Sequence, residues 1–536
     1  MLAVVHSYWV HGVEGQPVTV EVKVQTGLPI FTVVGLPAGA VREGKERVFA
    51  ALAQSGMALP PRRITVNLAP ADMPKSGSGF DLPIAVALLT AFGHVPPGPF
   101  AECAFVGELG LDASVRPIRG AIALSMRCRA QGMRRLFVPM GNAREAAAVP
   151  GVEVVGVESL NQVVGLLGGD LEPAPVPHCK PARASRHHPD LGDVRGQPLA
   201  KRALVIAAAG GHSLLMSGPP GSGKTMLARR LPGLLPPLAE AETLEVTRVH
   251  SVAGLLDDDD PLKTDRPFRA PHHTISAGGL IGGGNPPRPG EISLAHLGVL
   301  FLDELPEFSR SVLETLRQPV ESGHVRISRV RHTVTFPARF QLIAAMNPCP
   351  CGQGGEDCIC ADRDIARYRS RLSGPLLDRI DLQVHVGPVT WHELTGAAGE
   401  AGGDSAGARD RVTGARRLQS RRYSREGALN ALVPSRKVMR VCSLSASGSR
   451  LLEDGIARYG LSARSVHRTL RVARTISDLA RKDRLGTREV AEALRLRVGL
   501  GRGLGMPAHR LRPPPADGAA GVAPLFPGAS SDYAGQ

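Results

Sequence analysis

The stretch HSLLMSGPPGSGKTMLARRL, residues 212–231, constrains the fold more than any other part of the 536-residue chain. It places an apolar strand, a glycine-rich loop and a helical run in succession. The loop obeys the spacing G-x-x-x-x-G-K-T from Gly218 to Thr225. Gly218, Pro219, Pro220, Gly221, Ser222, Gly223, Lys224 and Thr225 form a candidate phosphate cradle. Its glycines let backbone N–H groups approach phosphate oxygens, and the helix start adds a favourable dipole. In such a loop Lys224 would reach the β- and γ-phosphates of ATP and Thr225 would ligate Mg²⁺.

Three later segments complete that chemistry. GVLFLDELPEF (298–308) reads as a buried strand ending in Asp303 and Glu304, one carboxylate for the Mg²⁺ shell and one to polarise a water. FQLIAAMNP (340–348) is a further strand with Asn347 at its tip, where a γ-phosphate or water would be sensed. SGPLLDRIDL (373–382) sets Arg379 in an apolar context. It is either salt-bridged to Asp378 or Asp381, or an arginine finger for a neighbouring subunit's phosphate.

The chain divides at composition breaks. Residues 1–167 form a first domain, and 168–190, rich in Pro, Ala and His, form a linker. Residues 191–394 alternate strands and helices as a parallel α/β sheet requires. A Gly/Ala-rich loop at 395–410 precedes an all-helical region, 411–498, and residues 499–536 read as a disordered tail. A net charge of +15 points to a polyanionic partner, nucleic acid first, and 458–497 alone carries eleven Lys/Arg against four Asp/Glu. Aromatics at 4% argue against base stacking as the main binding mode. FDLPIAVALLTAFG (80–93) is too short for a membrane span and reads as a core helix. No signal peptide is recognisable, so a cytoplasmic location and reduced cysteines are expected.

VRISRVRHTVTFPARF (325–340) alternates apolar and polar residues on both sides of a turn, the pattern of a β-hairpin. Arg326 lies on the polar side of one flank and Arg329 and Arg331 at the turn, either to discourage edge pairing or to contact nucleic acid. Cys103, Cys128, Cys179 and Cys442 are scattered and structural. Cys349, Cys351, Cys358 and Cys360 are spaced C-x-C-x₆-C-x-C, which fits a closed structural Zn²⁺ site or a reduced loop without metal. His187/His188 and His272/His273 lack ligand spacing and read as linker or loop.

The order of these motifs resembles an AAA+ ATPase of the magnesium-chelatase and MCM branch, and more closely the YifB/ComM family of magnesium-chelatase-like proteins. GLPAGAVREGKERVFAAL (35–52), RRITVNLAPADMPKSGSGFDLPIA (62–85), RPFRAPHHTISAGGLIGGG (266–284) and ARFQLIAAMNPCPCG (338–352) carry the likeness, which runs from near residue 1 to about 497. The resemblance implies sensor 1 at Asn347, the arginine finger at Arg379 and sensor 2 at Arg464 in a helical lid. It implies a homo-oligomeric ring, most simply a hexamer, with the hairpin and a second insert at 266–296 facing a central pore. It also favours DNA contact for the hairpin arginines.

Residues 1–167 resemble the peptidase domain of Lon-type proteases, an α+β fold of the ribosomal S5 domain 2-like kind. Gly79 stands where the nucleophilic serine falls in that pattern and Ile122 where the lysine falls. Lys75, Ser76 and Ser78 lie close by, but adjacent loop residues rarely supply a serine with its base. The resemblance, with the net charge and the hairpin arginines, implies an ATP-driven DNA motor, and the resemblance alone implies a branch-migration helicase in recombination or natural transformation. A magnesium-chelatase-type motor subunit and an ATP-dependent protein remodeller are the alternatives.

Overall fold

The structure, a computed structural model, describes residues 1–75, 77–96, 100–174, 176, 188–257, 260–329, 332–395 and 404–498. Ser76, Cys179, His187, Arg331, most of the linker and the tail from 499 onward lie outside the described residues.

The N-terminal part is built on seven strands: β1 (Leu2–His11), β2 (Glu14–Gln25), β3 (Ile30–Val34), β4 (Arg63–Ala69), β5 (Cys103–Phe105), β6 (Arg135–Pro139) and β7 (Glu153–Val157). They lie in the order β3-β4-β2-β1-β5-β6-β7. β1, β2 and β4 pair antiparallel and the other neighbours parallel, so the sheet is mixed. Helices α1 (Gly39–Gln54), α2 (Asp81–Ala91) and α3 (Ala121–Ala130) pack on it. The apolar run that makes α2 has ten of its eleven residues buried, so it is a core helix. Among the described residues no helix is long and apolar enough to cross a membrane.

The central part holds β8 (Leu214–Ser217), β9 (Phe268–Arg269), β10 (Val299–Leu302), β13 (Gln341–Met346) and β14 (Leu382–His385), between which the hairpin β11 (His324–Arg329) and β12 (His332–Pro337) is inserted. The sheet order is β9-β10-β13-β8-β14, and every neighbouring pair is parallel. β8, β10 and β13 are buried along their whole length, which is why their sequences are unbroken apolar runs rather than alternating ones. Phe268 and Arg269, expected to open the second insert, instead form the edge strand of this sheet.

Helices α4 (Lys224–Ala228) and α5 (Glu240–Ala253) belong to this layer, and α6 (Ser405–Tyr423), α7 (Ala463–Leu479) and α8 (Thr487–Val498) form the helical C-terminal part. Alternate strand residues point to opposite faces. Leu214, Met216, Phe301 and Ile343 share a core with Leu470, Val472, Ile476 and Leu494, whereas Leu215, Leu300, Leu302 and Leu342 pack towards the hairpin. The loop expected over 395–410 ends earlier than its composition implies. The side chain of Asp404 accepts from Gly407 N and caps α6, whose alanines then propagate the helix.

The N-terminal part docks on the central one, among other contacts, through a buried carboxylate and through the β1–β2 turn. Ser251 Oγ donates to the buried carboxylate of Glu145. Val13, at the β1–β2 turn, is buried with the hairpin residues, and a Cβ added at Gly12 would fall 2.5 Å from Val334 Cγ1.

Candidate nucleotide-binding site

The carboxyl ends of β8, β13 and β10 lie side by side, and each delivers one part of the site. β8 runs into the glycine-rich loop and then α4; a Cβ at Gly218 would come within 2.0 Å of Val386 O, so only glycine fits there. Gly221 and Gly223 have φ of +74° and +89°, and nothing lies within 4 Å of an added Cβ at either. The loop is therefore an open concave cradle. Ser222 Oγ is buried within it and has no hydrogen-bond partner among the described residues. An unfilled cradle with an orphaned donor fits a phosphate chain.

Lys224 is buried, and its Nζ donates to Gly218 O and Pro219 O at 2.8 Å each and to Asn347 Oδ1 at 3.3 Å. Burial lowers its pKa, against the opposing pull of Asp303 and Glu304. Thr225 Oγ1 donates to Asp303 Oδ2 at 2.6 Å. This hydroxyl and carboxylate form an all-oxygen donor set, the kind Mg²⁺ takes. Glu304 sits in the left-handed region with φ of 49°, unusual for a residue with a side chain, and its N–H donates to Asp303 Oδ1 at 3.0 Å. Its exposed carboxylate lies 3.2 Å from His273 Nδ1. The sequence marks His273 only as a loop residue without a role. Its spacing carries no signal, because the fold alone brings it across from β9.

Arg379 and Arg464 lie elsewhere. Arg379 O accepts from Ser213 Oγ at 3.0 Å, at the amino end of β8, while the cradle leaves the carboxyl end. The five residue steps from Ser213 to Gly218 put roughly 16 Å between the two ends. Arg379 bonds neither Asp378 nor Asp381, as expected from their adjacency, but Glu321, with Nη2 to Oε2 at 3.2 Å; Arg464 pairs with the same carboxylate.

Asp381 is committed instead to a buried joint between sheet and helices. It pairs with Arg468 and His212 and accepts from Ser213 N at 3.3 Å. Burial would raise its pKa, but the His212 hydrogen bond and the guanidiniums of Arg468 and Arg497 outweigh that and hold it below the ordinary carboxylate range. The basic charge of 458–497 is thus partly consumed inside the molecule: Arg468, Arg474 and Arg497 are buried, and Arg474 pairs with Asp478.

The hairpin forms as expected, with Ile327 opposite Val334 and Arg326 opposite Thr335. Val325, Ile327, Val334 and Phe336 are buried and Arg326 is exposed on the other face. Arg329 ends β11, and Arg331 lies outside the described residues. The four clustered cysteines converge, with their sulfurs all within 4.8 Å of one another. In the N-terminal part Ser78 Oγ bonds Glu108, not Lys75. Lys75 Nζ is buried without a partner among the described residues, and Ile122 is a core residue of α3.

A glycine-rich loop on one strand, the Asn347 amide on the next and a carboxylate pair on the third, all in one parallel sheet, define a P-loop nucleotide-binding protein. Family profiles sharpen the class. Residues 190–394 match magnesium chelatase, subunit ChlI, residues 20–142 match subunit ChlI of Mg-chelatase, and residues 402–497 match its C-terminal region. An uncharacterized protein YifB of Salmonella typhimurium is 43% identical over 498 residues, 93% of this chain and 97% of that one. Competence protein ComM of Haemophilus influenzae is 43% identical over 504 residues, with the same coverage. A Lon protease of Acinetobacter baumannii is 28% identical over 134 residues, 23% of this chain and 16% of that one. The chain belongs to the YifB/ComM family of magnesium-chelatase-like AAA+ proteins.

Proposed function

We propose that this protein is an ATP-hydrolysing ring motor acting on DNA, a branch-migration helicase used in recombination or natural transformation. The convergence of Lys224, Thr225, Asp303 and Asn347 at the ends of three adjacent parallel strands carries the ATPase reading.

The carbonyls that now hold Lys224 would yield it to the β- and γ-phosphates, and Ser222 Oγ would gain its missing partner. Thr225 and Asp303 would hold Mg²⁺, which supplies positive charge against the phosphates. Glu304, oriented by His273, would polarise the attacking water. Arg379, whose backbone lies at the other end of β8 from its own cradle, and Arg464, joined to it through Glu321, would serve the site of a neighbouring copy in a ring. The exposed Arg326 on the hairpin's outer face and a net charge of +15 support DNA as the substrate. The competence name of the Haemophilus relative points the same way. The N-terminal part reads as a Lon-like fold without its dyad, a binding or assembly module.

The test is steady-state ATPase with single-stranded, double-stranded and branched DNA across a salt series. Stimulation that fades with salt is expected; turnover indifferent to every DNA would overturn the DNA reading.

A further inference from the structure

We propose that Cys349, Cys351, Cys358 and Cys360 hold a structural zinc ion, and that this ion fixes the loop between them against the phosphate cradle, so that nucleotide affinity depends on it. The second half of the proposal rests on the nucleotide site described above.

The sulfur positions carry the metal assignment. Four thiolates around a tetrahedral zinc at about 2.3 Å stand roughly 3.8 Å apart. Cys349 and Cys351 Sγ are 3.3 Å apart, Cys349 and Cys358 3.5 Å, and Cys351 and Cys358 3.8 Å. These spacings approach the shared-ion value and exceed the roughly 2 Å of a disulfide. The fourth sulfur, of Cys360, accepts from Cys351 N at 3.3 Å, the outer-shell support that a thiolate ligand needs. Four protein ligands leave no open position, so the ion would brace rather than catalyse.

The loop between the ligands carries the coupling. Pro348 alone separates Cys349 from Asn347, whose Oδ1 accepts from Lys224. One residue beyond Cys351, Gly352 has a φ of +87° and lies so close to the cradle that an added Cβ would sit 2.7 Å from both Cγ and Cδ of Pro220. The same Cβ would be 3.9 Å from Asn347 Nδ2. The ligands therefore flank a glycine seated on the phosphate loop at one end and the γ-phosphate sensor at the other. With the ion gone, that glycine would keep its main-chain bond to Cys349 O at 3.1 Å and its contact with Pro220 but lose the bracing of the loop on either side.

The experiment measures zinc content, nucleotide affinity with a fluorescent ATP analogue, and thermal unfolding on the full-length protein. The wild type is expected to contain about one zinc per chain. Cys358→Ser combined with Cys360→Ser should lose it and bind nucleotide about tenfold more weakly. Gly352→Val should keep its zinc and show the same weakening, which separates the ion's effect from that of the glycine's seat on Pro220. If the cysteine variant unfolds, reversible removal of zinc from the wild type with a mercurial, then re-addition, reads the same dependence. Wild type free of zinc after growth and reconstitution with zinc, or holding a different metal, would overturn the metal assignment. Zinc lost with affinity unchanged would overturn the coupling. Wild type that binds zinc but no nucleotide would instead overturn the nucleotide reading.

Discussion

Glu321 Oε2 accepts a hydrogen bond from Arg379 Nη2 at 3.2 Å, and Arg464 of α7 pairs with the same carboxylate. One acidic side chain thus gathers two arginines contributed by the central sheet and the helical C-terminal part. The Arg379 carbonyl meets Ser213 at the amino end of β8, the end opposite the glycine-rich loop. A neighbour's triphosphate would compete with Glu321 for both cations.

We predict that Arg379→Ala binds nucleotide normally but turns it over about a thousandfold more slowly, the range seen for arginine fingers. Lys224→Ala should fail to bind. Mixing the two inactive proteins should restore measurable ATPase, because an intact finger then meets an intact cradle. A mixture no more active than its components would place Arg379 outside the reacting site.

Glu304→Gln should bind ATP and accumulate as an assembled ring, measured by sedimentation with and without nucleotide. His273→Ala removes the group 3.2 Å from that carboxylate while leaving the cradle intact. Its expected effect is a lower maximal rate with little change in the substrate concentration giving half that rate. An equal loss in both parameters would make His273 a binding residue instead.

Charge reversal at Arg326, Arg329 and Arg331 should spare basal ATPase. Every arginine–phosphate pairing so removed should reduce the slope of log affinity against log salt by about 0.9 on duplex DNA. An unchanged slope would return these arginines to the role of edge protection.

Asp381→Asn should destabilise the protein by about 3–5 kcal/mol, because Arg468 is left charged and buried. The pH dependence follows from the depressed folded-state pKa of Asp381. Its stabilisation is fully present above the unfolded value near 3.9 and is lost as pH falls below it. Urea unfolding from pH 7 to pH 3 should therefore show a steeper acid loss in wild type than in Asp381→Asn. Parallel curves would mean the carboxylate is not the coupled group.

The elements that bear on nucleotide were readable because each is encoded locally. A strand buried on both faces needs an uninterrupted apolar run, and Val299–Leu302 and residues 342–346 supply one; the hairpin needs period-two alternation, which Val325 and Ile327 begin. What escaped was pairing across distance. Glu321 lies 58 residues from Arg379, and nothing local distinguishes it from other surface acids. Asp378 and Asp381 are the nearby candidates by sequence, yet Asp381 faces inward at the foot of β14, towards Arg468 and His212. The early start of α6 was obscured because alanine and glycine in a mixed run mark helix and loop alike until Asp404 caps the turn.

The fit of Gly12 against Val334 has a mechanical meaning. With no side chain at position 12, the turn joining β1 and β2 lies flush against the hairpin's returning strand. A hairpin that swings during a power stroke must therefore drag the N-terminal sheet with it or slide across a bare backbone bearing. A disulfide engineered between Gly12→Cys and Val334→Cys would tell the two apart: a sheet that travels with the hairpin keeps cycling when locked, whereas a sliding bearing seizes.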